Sequence, residues 1–163
     1  MVGRMAANPD CKVRIPPLNR RMNNVKIQIA DTVDALVRCF DVMRELRPHL
    51  DLETFVAQVE RQQNQGFRLV FLEAGGEVRS VAGYRLLENL AWGKFLYVDD
   101  LSTQASTRSQ GHGGALIDWL IVEAKREGCA QLHLDSGVHR FDAHRFYLRK
   151  RLDITCHHFA MIL

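Results

Sequence analysis

From Val25 to Ala30 (VKIQIA) apolar and polar residues alternate with a period of two, as on a half-buried strand, and Asp31 or Thr32 then offers an N-cap. Val33, Leu36, Val37, Phe40 and Met43 recur at helical spacing, so a helix is expected, ended by Pro48, which has no N–H to donate. Arg44 to Leu50 reads as a short polar link, and Asp51 can cap a second helix with the stripe Leu52, Phe55, Val56 and Val59. Phe67 to Glu73 and Val78 to Leu87 are β-rich runs joined by Gly75-Gly76, a tight hairpin turn. Lys94 to Thr103 (KFLYVDDLST) predicts the next strand, reached through a turn at Asn89 to Gly93. A helix is expected from Gly111 to about Glu127, its apolar face formed by Leu116, Ile117, Leu120, Ile121 and Ala124. Ala130 to Asp135 predicts a strand, about Arg140 to Lys150 a helix, and Ile154 to Leu163 a final strand. The expected order is β-α-α-β-β-β-α-β-α-β, a mixed α/β layer fold.

A chain of 163 residues, 47% apolar and 25% charged, is long enough for one domain to bury a core without disulfides or metals. No run approaches a membrane span, and no secretory segment precedes the first strand, so neither a membrane nor export is expected. Cys11, Cys39, Cys129 and Cys156 form no C-x-x-C pair, which fits a reducing cytoplasm and argues against a cysteine zinc site. The net charge of +3 is concentrated in residues 1–24, where Arg4, Lys12, Arg14, Arg20 and Arg21 face Asp10. This stretch also holds Pro9, Pro16 and Pro17 and no apolar period, so it is expected to be a flexible basic leader to a domain at 25–163. The nearly neutral body offers no footprint for nucleic acid. None of the seven histidines forms a zinc-binding H-E-x-x-H, and no metal is expected.

Chemistry concentrates in Arg108-Ser109-Gln110-Gly111-His112-Gly113-Gly114-Ala115, between a strand and a long helix. Glycines let backbone amides approach an anion, and the helix start adds partial positive charge, so the loop is suited to a phosphate or pyrophosphate. A P-loop would require a lysine after the glycines, and none is present. A dinucleotide fingerprint would require a third glycine where Leu116 stands, although Asp135 mimics its ribose-binding acid.

Arg108-x-x-Gly111-x-Gly113 resembles the Q/R-x-x-G-x-G/A pyrophosphate loop of the GNAT superfamily of acetyl-CoA-dependent N-acetyltransferases, and Ala143-His144-Arg145-Phe146-Tyr147 is similar to its A-x-x-x-Y segment. The resemblance spans about residues 25–163 and includes the element order. It departs at Arg140, where members often carry Asn, and at Arg151-Leu152, where they often carry Gly-Phe. The resemblance implies a three-layer fold around a twisted mixed sheet and transfer of an acetyl group from acetyl-CoA to a primary amine, of a small molecule or a protein, by direct attack in a ternary complex. It implies that Ser109, Gln110, Gly111, His112, Gly113, Gly114 and Ala115, with Arg108, hold the pyrophosphate, and that the main chain at Leu101 and Thr103 pairs with the pantetheine arm as with an added strand.

Such a reaction needs a neutral amine and a proton for the departing thiolate. Tyr147 is the candidate acid, since a phenol is protonated at neutral pH. Asp99 is the preferred base: Asp99-Asp100-Leu101 resembles the acidic pair and leucine of many members, whereas Tyr97 stands about where histone-acetylating members place a glutamate. A water chain to Glu45 or Glu88 is the alternative. Asp99 and Asp100 are expected on opposite faces of their strand. Arg145, Arg149, Lys150 and Arg151 form either a solvated helix end or a grip on the nucleotide 3′-phosphate. The acceptor site is expected between the Arg44 to Leu50 link, the Asn89 to Gly93 turn and the C-terminal strands. Apolar residues on both faces of the final strand call for cover by helices or by a second subunit, hence a homodimer. The rival reading from another class is a non-catalytic acyl-CoA-binding or sensing module.

Overall fold

A computed structural model describes residues 25–163. The leader expected at 1–24 lies outside the described residues. Strand β1 (Val25–Ile29) leads to helix α1 (Val33–Arg44), capped by Thr32, whose hydroxyl accepts from the Ala35 amide at 3.2 Å. Helix α2 (Leu52–Gln63) starts at Asp51, whose carboxylate accepts from the Thr54 amide at 2.7 Å. Both caps satisfy amides that a helix start leaves open. Strands β2 (Phe67–Ala74), β3 (Glu77–Asn89) and β4 (Gly93–Thr103) form a meander, followed by a 3₁₀ turn at Ala105–Thr107. Helix α3 (His112–Arg126), strand β5 (Gln131–Leu134) and helix α4 (Phe141–Arg149) complete the order.

The strands form one sheet in the order β1-β2-β3-β4-β5, antiparallel as far as β4 and parallel between β4 and β5. A parallel pair needs a crossover, and α3 supplies it. The alternation along β2 divides the core. Phe67, Leu69 and Phe71 face α1 and α2, where they pack with Leu36, Phe40, Phe55 and Val59; Val70 and Leu72 face α3, with Tyr84, Leu96, Leu116, Ile117 and Leu120. A sheet covered on both faces positions whatever its strand ends carry.

The final strand expected at Ile154 to Leu163 does not form. A strand exists through the ladder that pairs it, and apolar residues on both faces need two covers. Among the described residues nothing pairs with this segment, and Ile154, Phe159, Met161, Ile162 and Leu163 are exposed.

Candidate active site

The parallel ladder joins Phe95–Val98 of β4 to Gln131–Leu134 of β5 and stops there. Beyond Val98, β4 continues to Thr103 paired only with β3, with Leu101 opposite Ala82 and Thr103 opposite Ser80. The two strands therefore part, and the β4 edge over Asp99–Thr103 has no strand beside it among the described residues. Such an edge can accept an extended ligand as an added strand.

The start of α3 stands next to this opening. Gly111 is its N-cap at φ +92°, a left-handed conformation that costs other residues energy, and Ser109 adopts φ +65°. A Cβ on Gly113 would lie 2.9 Å from Thr103 Oγ1, so only glycine allows the helix this close to the β4 end. Ala115 N–H is the first amide of the helix to donate within it, to Gly111 at 2.9 Å. The amides of Ser109, Gly111, His112, Gly113 and Gly114 have no acceptor among the described residues. Together with the helix dipole they can receive an anion. His112 is buried, its Nδ1 is unpartnered, and burial aided by Arg79 lowers its pKa; the Ser136 hydroxyl, just past β5, is likewise buried and unpartnered. Free amides and orphaned polar atoms fit a polar ligand with an anionic segment, as a coenzyme A thioester is. Arg108 instead reaches Glu45 at the end of α1, 3.3 Å away, and Glu45 also accepts from the Ala105 amide at 2.9 Å. Lys150 is paired with Asp118 at 2.7 Å, its Nζ beside Gly114, while Arg145 pairs with Asp142 at 3.0 Å.

On the other face of the sheet, beneath α1 and α2, lies a cleft of about 460 Å³. Its floor is apolar, with Phe67, Phe55 and Met43, and its walls carry Asp99, Asp100 and Asp135 with Arg47, Arg85 and His49. Asp99 and Asp100 both line it, contrary to the expectation of opposite faces. A bulge explains this: Gly83 pairs with Asp100 and the next residue, Tyr84, with Val98, so Asp99 is the extra residue in β4 and the alternation resets. Gly83 makes room here, since a Cβ would fall 2.4 Å from the Phe67 ring and 3.3 Å from the Asp100 carboxylate.

Arg85 Nε donates to Asp99 at 2.8 Å, and Arg47 Nε donates to Asp100 at 2.8 Å. Burial raises the Asp99 pKa and outweighs the opposing pull of Arg85. Tyr97 donates to Asp135 at 2.5 Å, and burial with this hydrogen bond pushes its phenol pKa up. Tyr147, half-buried on α4 with its ring against Phe146, has a pKa raised by burial against the effect of Arg140 and donates no hydrogen bond among the described residues. It does not line the cleft that holds Asp99. The Asn89 to Gly93 turn does not line it either; Trp92 there stacks on His133 with ring centroids 4.2 Å apart. The Arg44 to Leu50 link does, through Arg47, His49 and Leu50. Sequence reasoning missed Arg85 and Asp135 as cleft residues, because their positions depend on cross-strand register and a bulge, and reached Arg47 only as part of the Arg44 to Leu50 link.

The sequence model of the acetyltransferase (GNAT) family matches residues 30–152. An uncharacterised N-acetyltransferase of Bacillus subtilis, YhdJ, is 35% identical over 112 residues, which is 68% of this chain and 79% of the relative. Among solved structures, aminoglycoside N-acetyltransferase AAC(6')-Iy in complex with CoA is similar at a TM-score of 0.78, with 14% identity, over 90% of this chain and 99% of that one. An acetyltransferase of Trypanosoma brucei is similar at a TM-score of 0.71, with 17% identity, over 86% and 100%.

Proposed function

The chain belongs to the GNAT family of acetyltransferases and is an acyltransferase, and from that premise we propose that it moves an acetyl group from acetyl-CoA to a primary amine, of a small molecule or a protein, in a ternary complex. The observation that carries this reading is the juxtaposition of the open β4 edge, Asp99–Thr103, with the row of free amides at the start of α3. One feature fits an extended arm and the other its anionic end.

In this reading the free amides of Ser109 and Gly111 to Gly114, within the loop Ser109 to Ala115, take the pyrophosphate, Arg108 turns from Glu45 toward it, and the main chain at Leu101 and Thr103 aligns the arm. Acetyl-CoA, when bound, supplies the thioester whose carbonyl the amine attacks. Asp99 and Asp100 draw an ammonium group into the cleft, and Asp99, with proton affinity raised by burial, is placed to take a proton from it. Tyr147 holds a proton at Oη for the thiolate; its raised pKa keeps it protonated at neutral pH. The apolar floor excludes water, which limits hydrolysis. That an aminoglycoside acetyltransferase shares the fold supports an amine acceptor.

No helix among the described residues is long and apolar enough to cross a membrane. Cys39, Cys129 and Cys156, unpaired among the described residues, support a cytoplasmic enzyme, and the exposed apolar end at 154–163 supports a homodimer that covers it. Residues 25–163 are taken as a single N-acetyltransferase domain and 1–24 as its basic leader. Thiol release from acetyl-CoA with a mixed panel of primary amines, compared with thermal-shift binding of the cofactor alone, tests the function. Release that depends on an amine supports acetyl transfer, while binding without release for every amine overturns it in favour of a sensing module.

A further inference from the structure

The charges lining the cleft do not balance one another. Three carboxylates, Asp99, Asp100 and Asp135, stand against two guanidinium groups, Arg47 and Arg85. Both guanidiniums are engaged: Arg85 Nε donates to Asp99 and Arg47 Nε to Asp100, each at 2.8 Å, and Arg85 also lies over the Phe67 ring, 5.3 Å from its centroid. Asp135, just past the end of β5, has no guanidinium partner. Its Oδ2 accepts from the Tyr97 hydroxyl at 2.5 Å, a neutral donor that burial and this bond keep protonated, and its Oδ1 accepts from no group among the described residues. His158 Nδ1 stands 3.0 Å from the same Oδ2, but its side chain is 67% exposed and does not line the cleft. A guanidinium is always charged, whereas an imidazole is charged only when protonated. One carboxylate of the cleft is therefore left without a fixed cation.

This carboxylate also stands where the strands part. The last rung of the β4–β5 ladder joins Val98 to Leu134, so the next residues, Asp99 and Asp135, flank the start of the opening, one on each strand. Tyr97 is close to both, since each carboxylate adds to the rise of its pKa. Beside this charged end the cleft is apolar, through Met43, Leu50, Phe55, Val59 and Phe67. Its volume of about 460 Å³ lies in the lower half of the range of about 300–1,000 Å³ usual for small-molecule sites.

We propose that Asp135, held by Tyr97, anchors the ammonium group of the acceptor and selects small monoamines with an apolar body. The inference rests on the amine-acetylation reading and narrows its substrate class. One positive charge at Asp135 balances the cleft and holds the nitrogen at the parting of β4 and β5, next to Asp99. The body of the molecule lies on the apolar floor, where burial adds affinity in proportion to area. A second ammonium on the same molecule would lie among apolar side chains and the guanidiniums of Arg47 and Arg85, desolvated and unpaired, which selects against polyamines.

The test is kcat and KM for phenethylamine, methylamine and spermidine in the wild type, Asp135→Asn and Asp135→Glu. In the wild type kcat/KM for phenethylamine should exceed that for each of the other two by at least about tenfold. Asp135→Asn keeps an acceptor for the Tyr97 hydroxyl and removes the charge. KM for phenethylamine should rise by about 5- to 30-fold, between an exposed ion pair and a buried charged hydrogen bond, while KM for acetyl-CoA changes by less than about twofold. Asp135→Glu, which restores the charge on a longer arm, should recover part of that loss. Calorimetric titration of phenethylamine into the protein saturated with CoA reads the anchor without turnover and should show the same loss in Asp135→Asn. A wild-type preference for spermidine or methylamine overturns the proposal. So does a phenethylamine KM that stays within about twofold in Asp135→Asn, or a KM for acetyl-CoA that rises with it, the mark of a residue that only holds β4 to β5. Calorimetric binding of phenethylamine that depends on Asp135, with no acetylation of any amine, would support the anchor and refute the acetylation reading alone.

Discussion

The start of α3 and the cleft beneath α1 and α2 lie on opposite faces of the sheet, on either side of the same stretch of β4, and they are made of different material. At α3 the groups proposed to bind are backbone amides, placed by the left-handed Gly111 and by the close approach of Gly113 to Thr103. In the cleft they are side-chain charges, Asp99 with Arg85 and Asp100 with Arg47, placed by a bulge and by cross-strand register. A backbone site tolerates nearly any side chain except where glycine is required, and so has a short local signature. A side-chain site can be retuned by single substitutions, which suits the part of a transferase that meets different acceptors.

The sharpest way to break this contrast is at the glycines. Gly111→Val with Gly113→Val should abolish detectable acetyl-CoA binding, a loss of at least about a hundredfold, because one change strains φ and the other drives a side chain into Thr103. Retained micromolar binding in calorimetry would remove the cradle from the account. Tyr147→Phe comes next and tests whether the chemistry joins the two faces: kcat should fall by about 10²–10⁴-fold with cofactor affinity nearly unchanged. A loss of only a few-fold would make Tyr147 a packing residue.

Asp99→Asn probes the cleft alone and should separate activity from stability. Burial raises the Asp99 pKa in the fold, so its contribution to stability is full below the unfolded value near 3.9 and is lost as pH rises through the higher folded value. The amide should therefore raise the melting temperature at pH 7 while lowering kcat/KM, and the stability gain should vanish in melts at low pH. Equal or lower stability at pH 7 would mean that the Arg85 pair outweighs burial.

Glu45→Gln should have the smallest effect. It keeps an acceptor for the Ala105 amide but removes the charge that holds Arg108, so acetyl-CoA should bind about two- to fivefold tighter, the range of one exposed ion pair, and the gain should shrink in high salt. Unchanged affinity would show that Arg108 has no part in the cradle.

The same contrast explains what the sequence made legible. Period-two and period-3.6 patterns, the caps at Thr32 and Asp51 and the glycine loop are local, and they placed the starts of α1 and α2, both ends of α3 and α4 and β1 to β5 within a residue or two, while α1 ends before Pro48 and α2 runs four residues past its apolar stripe. Arg47 and Leu50 were legible as part of a link expected near the acceptor. The common face of Asp99 and Asp100 was hidden, because a bulge is set by pairing with β3 rather than by the residues around it. Tyr97 on β4 and Asp135 just past β5 are separated by α3, so no spacing rule connects them. Residues 154–163 carried a strand pattern without a partner for its ladder, which is information the pattern cannot hold.

The central claim is that one acetyl-CoA lies along the parting of β4 and β5, with its pyrophosphate on α3 and its thioester toward the cleft. A crystal structure of the protein with acetyl-CoA measures this directly. The account predicts pyrophosphate oxygens within hydrogen-bond distance of the amides at 109 and 111–114, pantetheine along Leu101 and Thr103, and the thioester near Tyr147 with its carbonyl open to the side of Asp99. A pyrophosphate bound away from the α3 start, or a thioester walled off from the cleft, would contradict it.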